Sequence, residues 1–318
     1  MPATEKEINA FRTESVKMKY WAARIFEFRY LYIMLVPFIL WFVFFAYRPL
    51  YGLVIAFKDY SPFKGIAGSP WVGLENFRLF FTGPYFFRTF NNVLLINCYS
   101  LIFSFPLPIL LAIMLNEVKQ LKFKKIVQTI TYLPYFISVV IVAGMVTNFL
   151  APEYGLFNIL IEKLGGEKVY FLTKPQYFRT IYISLGAWKD TGFGAIVYMA
   201  ALSAIDVQLY EAAKIDGAGK LQQLWHVTFP GILPTIIICL ILRVGALLSV
   251  GSDIILLLYQ PATYETADVF STFVYRQGIL GDQQSLAAAV GLFNSVVSLG
   301  LIAMTNVISR RLSSVSLW

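Results

Sequence analysis

Residues 210–230 read YEAAKIDGAGKLQQLWHVTFP. The stretch is polar and glycine-broken, yet it lies between two runs apolar enough to sit in lipid. Glu211, Ala212, Ala213 and Lys214 are good helix formers. Gly217 and Gly219 can end that helix and turn the chain. KLQQLWHV reads as a second short helix, and Pro230 and Pro234 set where the next apolar helix can begin. The paired alanines leave a shallow face that another backbone can approach closely. A helix this short is marginal in water. It must be held by its own bundle and by something outside it.

Outward from this stretch the chain is a lipid-soluble one. Of 318 residues, 58% are hydrophobic and only 14% charged. A soluble domain carries roughly 25% charged residues. Six apolar runs stand out, at Phe28–Tyr47, Asn91–Leu115, Ile126–Leu150, Phe178–Leu202, Gly231–Leu258 and Ser285–Ile308. Each is near the ~20 residues that cross the hydrocarbon layer as a helix. They do not alternate apolar and polar positions as barrel strands do. The expected fold is therefore all-α, a polytopic membrane protein with six transmembrane helices. The first run is too long for a signal-peptide core and reads as a span. Pro37, Pro106, Pro108 and Pro134 lie in or near spans, where neighbouring helices can satisfy the freed carbonyls.

The net charge of +8 would suggest nucleic acid in a soluble protein. Here the basic residues flank spans, so they report topology instead. With both termini in the cytoplasm, the inner segments 1–27, 116–125, 203–230 and 309–318 hold 13 Lys and Arg, and the outer segments hold 9. Three units follow: a cytoplasmic segment 1–27, a six-helix domain 28–308 with the cytoplasmic loop 203–230, and a tail 309–318. Residues 1–27 mix Lys and Arg with Trp21, Ile25 and Phe26, a composition suited to a helix lying along the inner leaflet. The outer loop from Arg48 to Phe90, with its turns SPFKG, SPWVG and TGPYF, is long enough to fold over something or contact a partner. Two cysteines and one histidine support neither a disulfide framework nor a zinc site.

The loop also carries a resemblance. Glu211-Ala212-Ala213, then Gly217, then Val227-Thr228-Phe229-Pro230 is similar to the cytoplasmic-loop motif of permease subunits of type I ATP-binding-cassette importers. The fuller form EAAKIDGA, with Asp216 and Ala218, resembles the carbohydrate branch. GLENF (73–77), QPATYETADVFSTFVYRQGI (260–279) and the terminal SSVSLW resemble the subgroup importing oligosaccharides and polysaccharide fragments of aldouronate, alginate or pectin type. The resemblance implies the type I importer permease fold in a bacterial cytoplasmic (inner) membrane. It implies a coupling helix docked on an ATPase subunit through Glu211, Ala212, Ala213, Asp216, Gly217 and Ala218. It also implies two ATP-binding subunits that hold ATP and Mg, a second permease forming a heterodimer, and an extracellular solute-binding protein. This chain itself would bind no cofactor and catalyse nothing.

Charges inside spans cost a few kcal/mol each and mark functional candidates. Lys189, Asp190, Arg243 and Asp253 are such residues. By the same resemblance, the fourth and fifth spans carry the sugar-contacting residues, which here are Trp188, Lys189, Asp190, Phe193, Arg243, Leu247 and Val250. Aromatic faces stack on sugar rings, and charged groups bond hydroxyls or carboxylates. Arg243 and Lys189 would suit an acidic sugar. The other reading has Lys189 and Asp190 paired inside the bundle; adjacent on a helix, they point about 100° apart and do not face each other. An ion-coupled carrier is the alternative function, although no inverted repeat of broken helices is evident. An intramembrane enzyme lacks support, since there is no HExxH. No GxxxxGK[ST] loop is present, so any ATPase must be another chain.

Overall fold

Within lipid, each backbone N–H and C=O must find its partner inside the protein, so apolar runs become helices. A computed structural model describes residues 24, 26–248 and 250–312. In chain order the main helices are α1 (Arg29–Phe57), α2 (Tyr85–Glu117), α3 (Leu121–Phe136), α4 (Val139–Phe149), α5 (Pro175–Ser203), α6 (Val207–Ile215), α7 (Lys220–Gly245), α8 (Ser252–Leu258), α9 (Phe270–Val274) and α10 (Gln284–Leu312). Among the described residues there is no strand, only a lone antiparallel bridge from Lys58 to Trp71. α1, α2, α7 and α10 are each long and apolar enough to cross a membrane. α3 with α4, bent by 98°, and α5 with α6, bent by 68°, bring the count to six when each pair is one span. The inner-leaflet helix expected over 1–27 falls almost wholly outside the described residues, as does most of the tail.

Several expected boundaries move. The first span runs on to Phe57 rather than stopping at Tyr47. The third is broken where Ile137 and Ser138 adopt extended backbone after a 3₁₀ turn at Leu133–Phe136. KLQQLWHV is not a separate helix but the first turns of α7, which passes through Pro230 and Pro234. α7 ends at Gly245, so the fifth span does not reach Leu258; Leu247 and Val250 lie in the connection and Asp253 on α8.

The prolines are absorbed locally. Widened π turns occupy Phe42–Tyr47, Ser100–Ser104 and Leu224–Thr228, each ending two residues before a proline: Pro49, Pro106 and Pro230. The residue before each proline donates its N–H five residues back, Arg48 to Val43, Phe105 to Ser100 and Phe229 to Leu224. A proline ring clashes with the carbonyl four residues back in a regular α-turn. The extra residue in the turn lets the helix continue past it.

Packing concentrates in two places. Rings of Phe86, Phe270, Phe273 and Phe293 surround Phe80 at centroid distances of 5.2 to 6.0 Å. The loop after α1 is folded down here: Asn76 donates to the Ala56 and Lys58 carbonyls, and the Tyr60 N–H to Ser285 on α10. Ala112, Ala195, Tyr198, Leu202, Ile232 and Ile236 form the second cluster, joining α2, α5 and α7. Lipid tails are as apolar as these side chains, so close packing holds the helices together. A Cβ at Gly192 would overlap the Thr131 backbone, and one at Gly194 would press Pro108. α1 leaves its apolar side chains exposed along its first three turns. Arg179, which could have snorkelled to the interface, instead donates to Asn92 Oδ1 at 2.8 Å.

Candidate functional site

Two features stand apart from the packed bundle: the α5–α6 elbow and a polar cavity at mid-depth. At the elbow, α6 is capped by Asp206, whose carboxylate accepts from the Gln208 N–H at 2.9 Å. The helix stops at Gly217, whose φ of +78° only glycine adopts without strain. Ala218 N–H then bonds the Ala213 carbonyl at 2.8 Å and Gly217 N–H the Lys214 carbonyl at 3.1 Å. This pair of bonds closes the end of the helix and satisfies its orphan carbonyls.

The elbow is tied down on its inward side. Tyr210 Oη and Thr228 Oγ1 lie 3.0 Å apart, and Gln223 Nε2 donates to the Ala218 carbonyl at 2.8 Å. Gly219 N–H donates to Gln222 Oε1 at 2.8 Å. Ile205 lies where a side chain at Gly231 would sit. Lys220 pairs with Glu117 at the end of α2. Its outward side is exposed among the described residues. No residue of α6 is buried; Glu211, Ala212, Asp216 and Gly217 are exposed, and Ala213 and Ala218 half-buried. Ile215 is 87% exposed. His226 is exposed and its Nδ1 lies 3.0 Å from the Gln222 carbonyl.

The cavity has a volume of about 750 Å3 and is walled by α2, α4, α5, α7 and α8. Of the residues expected on the path, Lys189, Asp190, Arg243, Val250 and Asp253 line it. Trp188, Phe193 and Leu247 do not. Phe193 stacks on Tyr135 at the α3–α4 break, with centroids 3.9 Å apart, and Trp188 is exposed on the bundle surface. Leu247 contributes its carbonyl, which accepts from Asn97 Nδ2 at 2.6 Å. For Trp188 the physical reason is helical phase: cavity residues on α5 recur at Tyr182, Gly186, Asp190, Gly194 and Tyr198, and position 188 points to the opposite side. Phe193 shares the cavity-side rows, but its ring is taken up by the stack on Tyr135.

Lys189 and Asp190 diverge as adjacent residues must. Lys189 Nζ donates to the Tyr135 carbonyl at 2.8 Å and sits 5.1 Å from its ring centroid. Asp190 has no hydrogen-bond or ion-pair partner among the described residues, and neither has Asp253; both carboxylates are exposed to the cavity. Arg243 Nη2 is held by Ser100 Oγ on α2. Sequence reasoning missed Asn97, Ser100, Tyr182, Thr191 and Tyr198, which complete the polar lining. The four-residue recurrence on α5 is the signal that could have found Tyr182 and Tyr198. The arrangement supplies hydroxyl, amide, carboxylate and guanidinium groups around a space large enough for a few sugar rings. Among the described residues no cluster could hold a metal ion.

Up to six apolar spans, with α2, α4, α5 and α7 among the walls of a cavity that carries both polar and apolar groups and a braced elbow exposed at one end, have the form of a membrane permease. The chain belongs to the family of binding-protein-dependent transport system inner membrane components, whose sequence pattern matches residues 104–314. It is 43% identical over 304 residues to the polygalacturonan/rhamnogalacturonan transport system permease protein YteP of Bacillus subtilis (strain 168), covering 96% of this chain and 95% of that one. It is 42% identical over 291 residues to Protein LplB of the same organism, covering 92% of each. A crystal structure of a bacterial ABC transporter involved in the import of the acidic polysaccharide alginate contains a chain 47% identical, with a TM-score of 0.86 over 92% of this chain and 99% of that one. A second structure of the bacterial alginate transporter, in complex with an alginate pentasaccharide-bound periplasmic protein, matches with 46% identity and a TM-score of 0.86, covering 93% of this chain and 99% of that one.

Proposed function

We propose that this chain is the transmembrane subunit of an ATP-driven importer of oligosaccharides or polysaccharide fragments. α6 serves as the coupling helix, and the mid-depth cavity is part of the sugar path. The observation that carries this reading is the elbow: a short helix braced on its inward side by hydrogen bonds and, among the described residues, exposed on its outward side, with Ile215 87% exposed. A joint that transmits displacement has to be stiff within its own subunit and open to another. Glu211, Ala212, Ala213, Asp216, Gly217 and Ala218 form the contact with a separate ATPase. Two such ATPase subunits bind ATP and Mg, and their closure moves the elbow and rocks the spans between two openings. The α6 end and both termini lie in the cytoplasm.

The substrate class draws support from the relatives, whose names concern polygalacturonan, rhamnogalacturonan and alginate. The co-crystal with a pentasaccharide-bound periplasmic protein supports delivery by a solute-binding protein. A second permease, different in sequence, completes the path beside this one. In the cavity, Asp190, Asp253, Asn97 and Arg243 bond sugar hydroxyls, and Tyr182 offers a ring face.

Gentle detergent purification with identification of the bound chains tests this directly. An ATPase and a second permease are expected to co-purify, with hydrolysis stimulated by sugar-loaded binding protein. Uptake by the isolated chain under an ion gradient would establish a secondary carrier instead.

A further inference from the structure

At the end of the bundle farthest from α6, arginines outnumber the acid that holds them. Asp268 has a fully buried side chain and receives Arg276 through two bonds, Nη1 to Oδ1 at 3.0 Å and Nη2 to Oδ2 at 2.7 Å. Thr272 Oγ1 donates to Oδ1 at 2.9 Å. This bidentate pair neutralises Asp268. Arg88 adds a single further bond, Nη2 to Oδ2 at 2.8 Å. Among the described residues Arg179 reaches only Asn92 Oδ1, at 2.8 Å, and Asn92 Nδ2 donates to the Asp268 and Glu265 carbonyls at 3.0 Å. The Nε atoms of Arg88 and Arg179 are buried with no hydrogen-bond partner among the described residues. Two guanidinium groups thus share one carboxylate, and a third, that of Arg179, is tied to the same segment only through Asn92. The Glu265 carboxylate is exposed and pairs with none of them among the described residues.

The surplus charge is aligned with the cavity. On α2, Arg88, Asn92, Ile96 and Ser100 recur every four residues, and the last two line the cavity. On α5, Arg179 lies one turn before Tyr182 and Ile183, which also line it. The arginines therefore stand over its far end, roughly 12 Å along α2 from Ile96 at 1.5 Å per residue. Partly desolvated cations without a full set of acceptors favour an anion.

We propose that Arg88 and Arg179 form a carboxylate-binding site at the outer mouth of the path, taking uronate groups of an acidic oligosaccharide. This rests on the reading of the chain as an oligosaccharide importer with the α6 end inside. Asp268 and Arg276 anchor the site, and Asn92 positions Arg179. Binding strong enough to enter and weak enough to leave is what conduction requires.

The test is uptake by the complete importer in proteoliposomes, using a galacturonate tetramer and its carboxyl-reduced counterpart. Arg88→Gln and Arg179→Gln are each expected to raise KM for the galacturonate tetramer roughly tenfold, as loss of one charge-assisted hydrogen bond implies. The maximal rate, and KM for the reduced tetramer, stay as they were. Arg179→Lys restores most of the loss. Arg179 makes no ion pair among the described residues, so Arg179→Gln carries the test if Arg88→Gln fails to assemble. An equal rise for both tetramers overturns the proposal, as does no change. A parallel fall in affinity for the loaded binding protein overturns it too, because the arginines would then be docking protein. If the unaltered importer takes up neither tetramer, the oligosaccharide reading itself falls.

Discussion

Gly217 holds a φ of +78° at the tip of the elbow, where nothing lies within 4 Å of a would-be Cβ. The demand for glycine is therefore conformational and not steric. Gly217→Val forces a branched side chain into the left-handed region at a cost of about 1–2 kcal/mol. The altered chain is expected to insert and assemble, while sugar uptake falls at least severalfold relative to ATP hydrolysis. Uptake and hydrolysis assayed together in proteoliposomes check this. Ion pairs differ sharply in weight by burial. Asp268→Asn strips a buried carboxylate from Arg88 and Arg276 and is expected to destabilise the far end by about 3–5 kcal/mol. Glu117→Gln removes an exposed partner of Lys220 and costs about 0–1 kcal/mol. Thermal unfolding of the two purified variants should separate them clearly.

Helices meet where side chains are missing. Gly192 brings α5 onto the backbone of α3 at Thr131, whereas Gly144 on α4 has open space around it. Gly192→Leu should therefore abolish assembly, and Gly144→Leu should leave the amount of folded protein nearly unchanged; size-exclusion profiles of the detergent-solubilised chains report the difference. The apolar runs made six spans legible in the sequence, and the Glu-Ala-Ala pattern with its glycines located the elbow. The breaks were not legible. The 98° bend between α3 and α4 lies inside one unbroken apolar run, since extended residues at Ile137 and Ser138 leave no trace in hydropathy. The end of α7 at Gly245 was hidden the same way, because ILLL of α8 continues the apolar run. The π turns answer prolines through backbone geometry, which side-chain patterning does not record. For the cavity, Asp190 and Arg243 were visible as charges in lipid-like sequence. Asn97 and Ser100 were not, because a small polar group on α2 reads the same whether it faces a cavity or a neighbouring helix.

Taken whole, the molecule places a braced elbow at one end, a polar cavity at mid-depth and an excess of arginine at the other end. α6 follows directly on α5, which walls the cavity, so a push at α6 would reach the cavity through α5. The central claim is that this push comes from a separate ATPase docked on α6. The most direct measurement is cross-linking from Ala212→Cys in the assembled importer, after replacing the native Cys98 and Cys239. An adduct with the ATPase subunit that blocks uptake is expected. A cysteine at 212 that reaches no ATPase, or that reacts with reagents confined to the outside of the cell, would contradict it.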